Sequence, residues 1–263
     1  GLYAGTGNVT VGNNSIGIYG KGLSGGSITQ TGTTMTVGNS GVGIYGTGTG
    51  NGTENITLAM TAGITLGNNN SIGVYAKNIN SSVVGDMYVG TNTSIGIVSE
   101  GTGNITYTGA ITIDDKGTGI GDTASVGIYK VDGTGTITTS AGNWNIGNNG
   151  YGIFLKQSAE QKVTINNSAD MNLGMSSVGI FSNGDNTVNN SGNITVGETF
   201  VPGGNHSDVT EHLNSVGIYG AGGTKIFNAA GATIKVHEDH SVGVYVDGSN
   251  IITGDKTRFE NYG

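Results

Sequence analysis

One short motif recurs along the whole chain and constrains the fold more than any other feature. It consists of a serine, an isoleucine or valine, a glycine, a second isoleucine or valine, and an aromatic residue, and residues 15–19 (S-I-G-I-Y) are its first complete copy. The central glycine recurs as Gly17, Gly43, Gly73, Gly96, Gly127, Gly152, Gly179, Gly217 and Gly243. Most steps between copies are roughly 23–31 residues, a period typical of solenoids.

Two further motifs precede each copy. Apolar residues alternate with polar ones before a Gly-Asn pair at residues 9–13 (V-T-V-G-N) and 64–68 (I-T-L-G-N). Alternation over so few residues predicts a short strand with one buried face, and Gly-Asn suits a corner because both residues tolerate positive φ. The third motif is weaker and includes residues 188–192 (V-N-N-S-G) and 227–231 (F-N-A-A-G). Each repeat therefore contains three predicted strands and three corners.

We predict an all-β fold: a right-handed parallel β-helix, or solenoid, of about nine to ten coils of roughly 23–31 residues, with three short strands per coil. A propeller blade needs about 40–45 residues per unit, which exceeds this period. Disorder is the alternative for a chain with 52 glycines and only 11% charged residues, but the regular apolar spacing argues against it.

Composition narrows the possible functions. The net charge is −8 and no basic stretch is present, so we do not expect nucleic-acid binding. No apolar run is long enough for a transmembrane helix, and the N-terminus does not resemble a signal peptide. The chain has no cysteine, which excludes disulfides and thiolate metal sites.

We interpret residues 1–263 as a single β-helix segment that begins and ends inside a repeat, and expect it to be excised from a longer solenoid. The longest step between motif glycines, from Gly179 to Gly217, is about 38 residues and contains a predicted loop insertion over residues 198–213. Insertions on one face of a solenoid often carry binding function.

The texture of the repeats, with strands such as residues 64–69 (I-T-L-G-N-N) and 215–219 (S-V-G-I-Y) separated by N-x-G corners, resembles the passenger repeats of type V autotransporters. The resemblance is closest to the large fusobacterial outer-membrane adhesins. It implies a passenger exposed on the bacterial cell surface and a parent chain anchored in the outer membrane by a C-terminal barrel. The implied partners are a host-cell surface protein or glycan, or other bacterial surfaces.

An aromatic column is the first candidate binding surface. Eight of the motif glycines are followed two residues later by an aromatic residue: Tyr19, Tyr45, Tyr75, Tyr129, Phe154, Phe181, Tyr219 and Tyr245. Stacked coils place these rings one strand spacing apart, which predicts an offset-stacked ladder. If the apolar pair of the motif faces inward, alternation puts the serine, the glycine and the aromatic ring outside. The strip would suit a sugar or a partner protein; alternatively, it only stabilises the rod.

The insertion provides the second candidate. It contains His206 and Asp208 as possible ligand-binding residues. Alignment on the motif glycines places Glu211 beside His237 and His212 beside Glu238. The resulting cluster would provide carboxylate and imidazole groups, both of which are zinc ligands. A solvated, hydrogen-bonded corner is the alternative.

We expect a non-enzymatic adhesin segment with no cofactor. A purely structural stalk is the second hypothesis, and a carbohydrate-active β-helix enzyme is the third. Retaining glycosidases need two carboxyl groups about 5 Å apart. The best candidate, Asp114, has only Gly90 and Gly147 as its predicted neighbours in the adjacent coils. The alignment also predicts an ion pair between Lys77 and Glu100.

Overall fold

A computed structural model describes most of the chain. The described residues are 1–114, 124–158, 161–197, 215–237, 241–248 and 258–262. Within these ranges the regular elements are β-strands, with no helix.

The first thirteen strands in chain order are β1 (Leu2–Thr6), β2 (Val9–Val11), β3 (Ile16–Leu23), β4 (Ser27–Val37), β5 (Val42–Gly48), β6 (Asn55–Leu66), β7 (Ile72–Lys77), β8 (Asn80–Val84), β9 (Met87–Val89), β10 (Ile95–Glu100), β11 (Ile105–Thr108), β12 (Ile111–Ile113) and β13 (Val126–Val131). The next thirteen are β14 (Gly135–Thr139), β15 (Asn143–Ile146), β16 (Tyr151–Lys156), β17 (Val163–Asn167), β18 (Asp170–Leu173), β19 (Val178–Asn183), β20 (Thr187–Asn190), β21 (Ile194–Val196), β22 (Val216–Ala221), β23 (Lys225–Asn228), β24 (Ile234–Val236), β25 (Val242–Val246) and β26 (Arg258–Asn261).

The strands stack in parallel, each on the equivalent strand of the next coil. A nine-stranded sheet is made of the motif strands, in the order β25-β22-β19-β16-β13-β10-β7-β5-β3. The other described strands form a 17-stranded sheet that follows the remaining two sides of each coil. The prediction of an all-β parallel solenoid is therefore confirmed, with about eight complete turns between the nine motif strands and partial turns beyond them.

Three strands per coil is the rule from β7 onward. In the two preceding coils, β4 and β6 each run through two sides of the coil without a break. They pair with each other in parallel over most of their length, with one register shift between Gly32 and Thr34. The predicted third strand is thus fused to the second there, because no corner interrupts the extended chain.

The core is a column of apolar side chains enclosed by the three sides. The second apolar residue of the motif is fully buried in most coils, as Ile44, Val74, Ile97, Ile128, Ile153, Ile180 and Ile218. The opposite side contributes larger groups, among them Trp144, whose ring meets Tyr107 edge-on at 5.6 Å between centroids. Tyr107 Oη donates to the carbonyl oxygen of Ala110 at 2.7 Å, so this buried hydroxyl is satisfied.

The motif glycine does not face outward, which corrects the expectation from simple alternation. It is skipped in the register between coils, where Val42 pairs with Ile72 and Ile44 with Val74. A Cβ atom added to Gly43 would lie 2.5 Å from the carbonyl oxygen of Gly73 and 2.7 Å from Sδ of Met35. The glycine is therefore required because the next coil's backbone approaches closely, and this approach is repeated at each motif glycine from the first coil to Gly217.

The motif serine is also buried in the inner copies, contrary to the same expectation, as Ser71, Ser94, Ser125, Ser177 and Ser215. Ser71 Oγ donates to the carbonyl oxygen of Gly38 at 3.0 Å, and Ser94 Oγ to that of Gly67 at 2.9 Å. Each of these serines therefore ties its strand to the Gly-Asn corner of the preceding coil. The aromatic residue and the first apolar residue of the motif point away from the core: Ile16 is 48% and Val242 37% exposed, so only the second member of the apolar pair faces inward as expected.

The Gly-Asn corners work differently from the sequence-based prediction. Positive φ occurs one residue after the pair, as at Asn14 (53°) and Asn149 (58°). The asparagine of the pair instead accepts a hydrogen bond from the next coil's backbone: Asn13 Oδ1 from the amide of Asn39, and Asn39 Oδ1 from that of Asn68, at 2.8 and 2.9 Å. The corners therefore stack through a side-chain ladder.

A motif glycine should not tolerate a methyl group. In Gly152→Ala, the new Cβ would lie 2.6 Å from the carbonyl oxygen of Gly179, so we expect a loss of about 1–3 kcal/mol in the free energy of unfolding. The matched control is Gly12→Ala, whose Cβ would meet nothing closer than Ser15 Oγ at 3.8 Å. Thermal unfolding followed by circular dichroism measures both, and equal stability of the two variants would contradict the role of the close approach.

Candidate functional site

The predicted aromatic ladder is present on the outer face of the nine-stranded sheet. Ring centroids of neighbours in the column are 4.5–5.4 Å apart, with interplanar angles of 2–13°, which is offset stacking. The stacked pairs are Tyr19–Tyr45, Tyr45–Tyr75, Tyr129–Phe154, Phe154–Phe181, Phe181–Tyr219 and Tyr219–Tyr245.

The faces of these rings are covered by other rings. Only the two outermost tyrosines are largely open, with Tyr19 58% and Tyr245 46% exposed. In the middle of the column, Tyr151 adds an edge-on contact to Phe154 at 5.2 Å. The ladder therefore offers ring edges to a partner along most of its length, whereas a sugar ring stacks on an aromatic face.

Val98 interrupts the ladder and divides it into two parts. In the coil before Val98, Tyr75 Oη donates to Oε2 of Glu100, and Lys77 Nζ lies 2.9 Å from Glu100 Oε1. The predicted Lys77–Glu100 pair is thus confirmed. The hydrogen bond from the Tyr75 hydroxyl holds the pKa of the Glu100 carboxyl below its usual range, and the hydrogen bond from Lys77 is the second largest cause.

The predicted loop and metal cluster lie largely outside the described residues, which include neither His206 and Asp208 nor Glu211, His212 and Glu238. His237 is described: it follows β24, is exposed, and its amide donates to the carbonyl oxygen of Val196 at 3.0 Å. The described part of the chain contains no group of three or more histidine, cysteine or acidic side chains arranged to hold a metal ion.

Asp114 occupies the position that the alignment predicted. Its amide donates to the carbonyl oxygen of Val89 at 2.9 Å, and the amide of Gly147 donates to the carbonyl oxygen of Ile113 at 3.1 Å. These bonds continue the register of β12 with β9 and β15, so Gly90 and Gly147 flank Asp114 in the adjacent coils. A second carboxyl group is not supplied at this position by either coil.

Lys130 is a buried charge that the sequence analysis did not single out. Its side chain is fully buried in β13, and Nζ donates to Ser99 Oγ at 3.2 Å and to the carbonyl oxygens of Gly101 and Gly103 at 2.9 and 3.3 Å. Desolvation lowers the pKa of Lys130 to about 8. The signal in the sequence was its place at an inward position of β13, paired in register with Ser99 and Leu155.

A groove on the 17-stranded sheet is the second feature that the sequence analysis missed. Its volume is about 310 Å³. We call it the amide groove and define it by six of its lining residues: Asn166, Asn189, Ser191, Phe227, Ala229 and Tyr262. Four of them belong to the weak third motif, which was noted as a strand signal only.

Polar side chains line one end of the amide groove and aromatic rings the other. Asn189 Nδ2 donates to Asn166 Oδ1 at 2.9 Å, and Ser191 Oγ lies 3.0 Å from Ser168 Oγ. Phe227 stands next to Asn189 in the register of β20 and β23. The guanidinium carbon of Arg258 lies 5.4 Å from the centre of the Phe227 ring.

Beneath the groove, side-chain amides form a continuous ladder through four coils, buried at Asn167, Asn190 and Asn228 and exposed at Asn261. Asn167 Nδ2 donates to Asn190 Oδ1 at 2.8 Å, Asn190 Nδ2 to Asn228 Oδ1 at 2.8 Å, and Asn228 Nδ2 to Asn261 Oδ1 at 3.0 Å. The first three amides also donate to backbone carbonyl oxygens at 2.8–2.9 Å. These satisfied side chains fix the strands that bear the groove residues.

Removing a ring from the middle of the ladder should cost more than removing one from its end. Phe154→Ala removes two stacked contacts and the edge contact of Tyr151, so we expect a loss of roughly 2–4 kcal/mol in the free energy of unfolding. Tyr19→Ala removes one stacked contact from an exposed ring and should cost about 1 kcal/mol or less. Denaturant titration of both variants measures the difference, and similar losses would show that stacking contributes little.

Replacing the buried lysine should stabilise the rod at neutral pH. A native pKa of about 8, against 10.5 for an ordinary lysine, corresponds to roughly 3 kcal/mol against the charged form. Lys130→Met removes that penalty but leaves two carbonyl oxygens without this donor, so we expect a net gain of about 1–2 kcal/mol at pH 7.

The pH dependence provides the sharper test of Lys130. Between pH 8 and pH 10.5 the unfolded chain binds more protons at this residue than the native chain, so native stability rises with pH across that window. The Lys130→Met variant should lack this contribution, whereas Lys156→Met, at an exposed lysine in the next coil, should retain it. Melting temperatures measured across the window would contradict the assignment if all three proteins changed in parallel.

No protein-family model, curated protein or solved structure matches this chain. The parallel solenoid, its aromatic ladder and the amide groove are therefore the observations from which a function has to be argued.

Proposed function

We propose that the chain is a surface-exposed adhesin segment, a rod-like part of an autotransporter passenger that mediates attachment to host cells or to other bacteria. The observation that carries the proposal is the uninterrupted parallel stacking of equivalent strands, coil on coil, from β3 to β25. Such a stack gives a stiff, elongated body whose outer side chains form long, regular surfaces. This shape suits a protein that holds contact surfaces away from a cell.

The internal polar ladders support a rod whose function is mechanical. Serines, corner asparagines and buried asparagines each connect one coil to the next by hydrogen bonds of 2.7–3.0 Å. Each coil therefore contacts its neighbours through both apolar packing and satisfied polar groups. Stability of this kind needs no cofactor.

The charge distribution agrees with the proposed partners. Lys77 pairs with Glu100, Lys162 with Asp185 and Arg258 with Glu260, at 2.6–3.1 Å, and Lys130 is buried. Because these cations are engaged and the net charge is −8, the chain has few positive groups that could contact a phosphate backbone. We therefore propose a host-cell surface protein or glycan, or another bacterial surface, as the partner, and no nucleic acid.

The proposed location is the bacterial cell surface. In this proposal the parent chain is anchored in the outer membrane by a C-terminal barrel, an expectation that rests on the resemblance of the repeats. The described residues include no helix of the length and hydropathy that crossing a membrane requires.

A purely structural stalk is the competing proposal, and one observation favours it. The rings of the aromatic ladder cover one another's faces, so most of that column stabilises the rod instead of presenting platforms to a ligand. In a stalk, the segment would contribute length alone, and contact surfaces would be carried elsewhere.

Attachment of particles coated with the purified chain to cultured epithelial cells and to bacterial cells tests the proposal. We expect saturable attachment that excess soluble chain inhibits. Particles that carry the same chain after denaturation are the control for charge and composition. Attachment no greater than that of this control would favour the stalk, and release of reducing or unsaturated sugars from polysaccharides would favour an enzyme.

A further inference from the structure

We propose that the amide groove is a binding site for a neutral pyranose unit of a glycan. The inference rests on the proposed adhesive function and deepens it by naming the ligand chemistry and the residues. The groove volume of about 310 Å³ lies at the lower end of the range for small-molecule sites, which suits one or two sugar rings.

The polar end of the groove matches the hydroxyl groups of a sugar. A side-chain amide has two donor hydrogens and an acceptor oxygen, and a hydroxyl group both donates and accepts. The single bond between Asn189 and Asn166 uses one donor of the first and one acceptor position of the second. The remaining positions of these two amides can exchange hydrogen bonds with neighbouring sugar hydroxyls. Ser191 Oγ donates to the carbonyl oxygen of Asn167 at 3.0 Å, so toward a sugar it can only accept.

The other end of the groove provides the apolar surface that the carbon face of a pyranose needs. Phe227 is half-buried and Tyr262 is 60% exposed. Ala229 directly follows β23, and Tyr262 directly follows β26. The register places Phe227 beside Glu260, so Tyr262 stands one coil beyond Ala229. The small side chain of Ala229 leaves the space between the two rings open.

The charges around the groove neutralise one another, which favours an uncharged ligand. Arg258 Nε lies 3.1 Å from Glu260 Oε1, and Tyr262 Oη donates to Glu260 Oε2. The net charge of −8 on the whole chain disfavours sulfated or sialylated glycans at long range. A neutral saccharide avoids both the repulsion and the need to break the ion pair.

The site is also held in place before a ligand arrives. The amide ladder from Asn167 to Asn261 sets the spacing of the strands under the groove, and the Arg258 guanidinium packs on Phe227. A preformed site loses little conformational entropy on binding. The aromatic ladder on the nine-stranded sheet lacks this combination, because most of its ring faces are covered by neighbouring rings.

The test uses variants that fill the groove or leave it open. Ala229→Trp should block the space between the rings, and Ala230→Trp is the matched control at the next residue, which is exposed and not part of the lining. The probes are immobilised neutral oligosaccharides ending in glucose, galactose, mannose or N-acetylglucosamine, with sialylated and sulfated oligosaccharides as charged comparisons. Binding of the best neutral probe is then measured in solution by calorimetry or NMR.

We expect at least one neutral probe to bind the unmodified chain and the Ala230→Trp variant equally, with affinity in the millimolar to micromolar range. Ala229→Trp should weaken binding by more than tenfold, and Tyr262→Ala, which removes one ring without adding bulk, by about tenfold. Circular dichroism confirms that each variant is folded, and Tyr262→Ala keeps the proposal testable if Ala229→Trp does not fold.

Two results would overturn the proposal. One is binding by charged oligosaccharides only; the other is equal binding of neutral probes by all the variants. Cell attachment measured on the same proteins separates this failure from that of the proposed function. Saturable attachment that is unaffected by Ala229→Trp would retain the adhesin and reject the groove, whereas absence of both activities would reject both.

Discussion

The close approach of one coil's backbone to the next underlies the rest of this structure. At each motif glycine from Gly17 to Gly217, the space that a Cβ atom would occupy is taken by the carbonyl group of the following coil, as between Gly43 and Gly73. A side chain at one of these positions would separate neighbouring coils, lengthen the hydrogen bonds of the nine-stranded sheet and pull apart the rings beside it. The core residues, the serine contacts and the aromatic stacking all depend on this spacing.

Much of the fold could be predicted because residues at equivalent positions of successive repeats pair with each other, so aligning the motifs gives the register of the strands. Equivalent residues such as Ile44 and Val74, or Tyr45 and Tyr75, pair in the structure as the aligned motifs imply. The orientation of the motif glycine and serine could not be predicted by alternation, since the glycine occupies an irregular backbone position that a two-residue period does not describe. The fusion of strands in β4 and β6 escaped prediction for a similar reason, because a missing corner leaves no clear signal in the residues.

The candidate sites were less predictable than the fold. The aromatic ladder followed directly from the column of rings, but its covered faces depend on the ring spacing of 4.5–5.4 Å that only the structure provides. The amide groove combines residues from four coils, and its shape depends on the contrast between Ala229 and the two rings beside it. In the sequence these residues belong to the weakest motif, where a departure from the repeat is hard to distinguish from ordinary variation.

The buried asparagine ladder has a further consequence. Each amide nitrogen donates toward the coil that follows it in the chain, from Asn167 through Asn190 and Asn228 to Asn261. The side-chain dipoles of this ladder therefore point the same way along the axis, opposite to the exposed pair in which Asn189 donates to Asn166. Within these four coils, each amide presents the following coil with a donor, and an asparagine oxygen at the equivalent position accepts it.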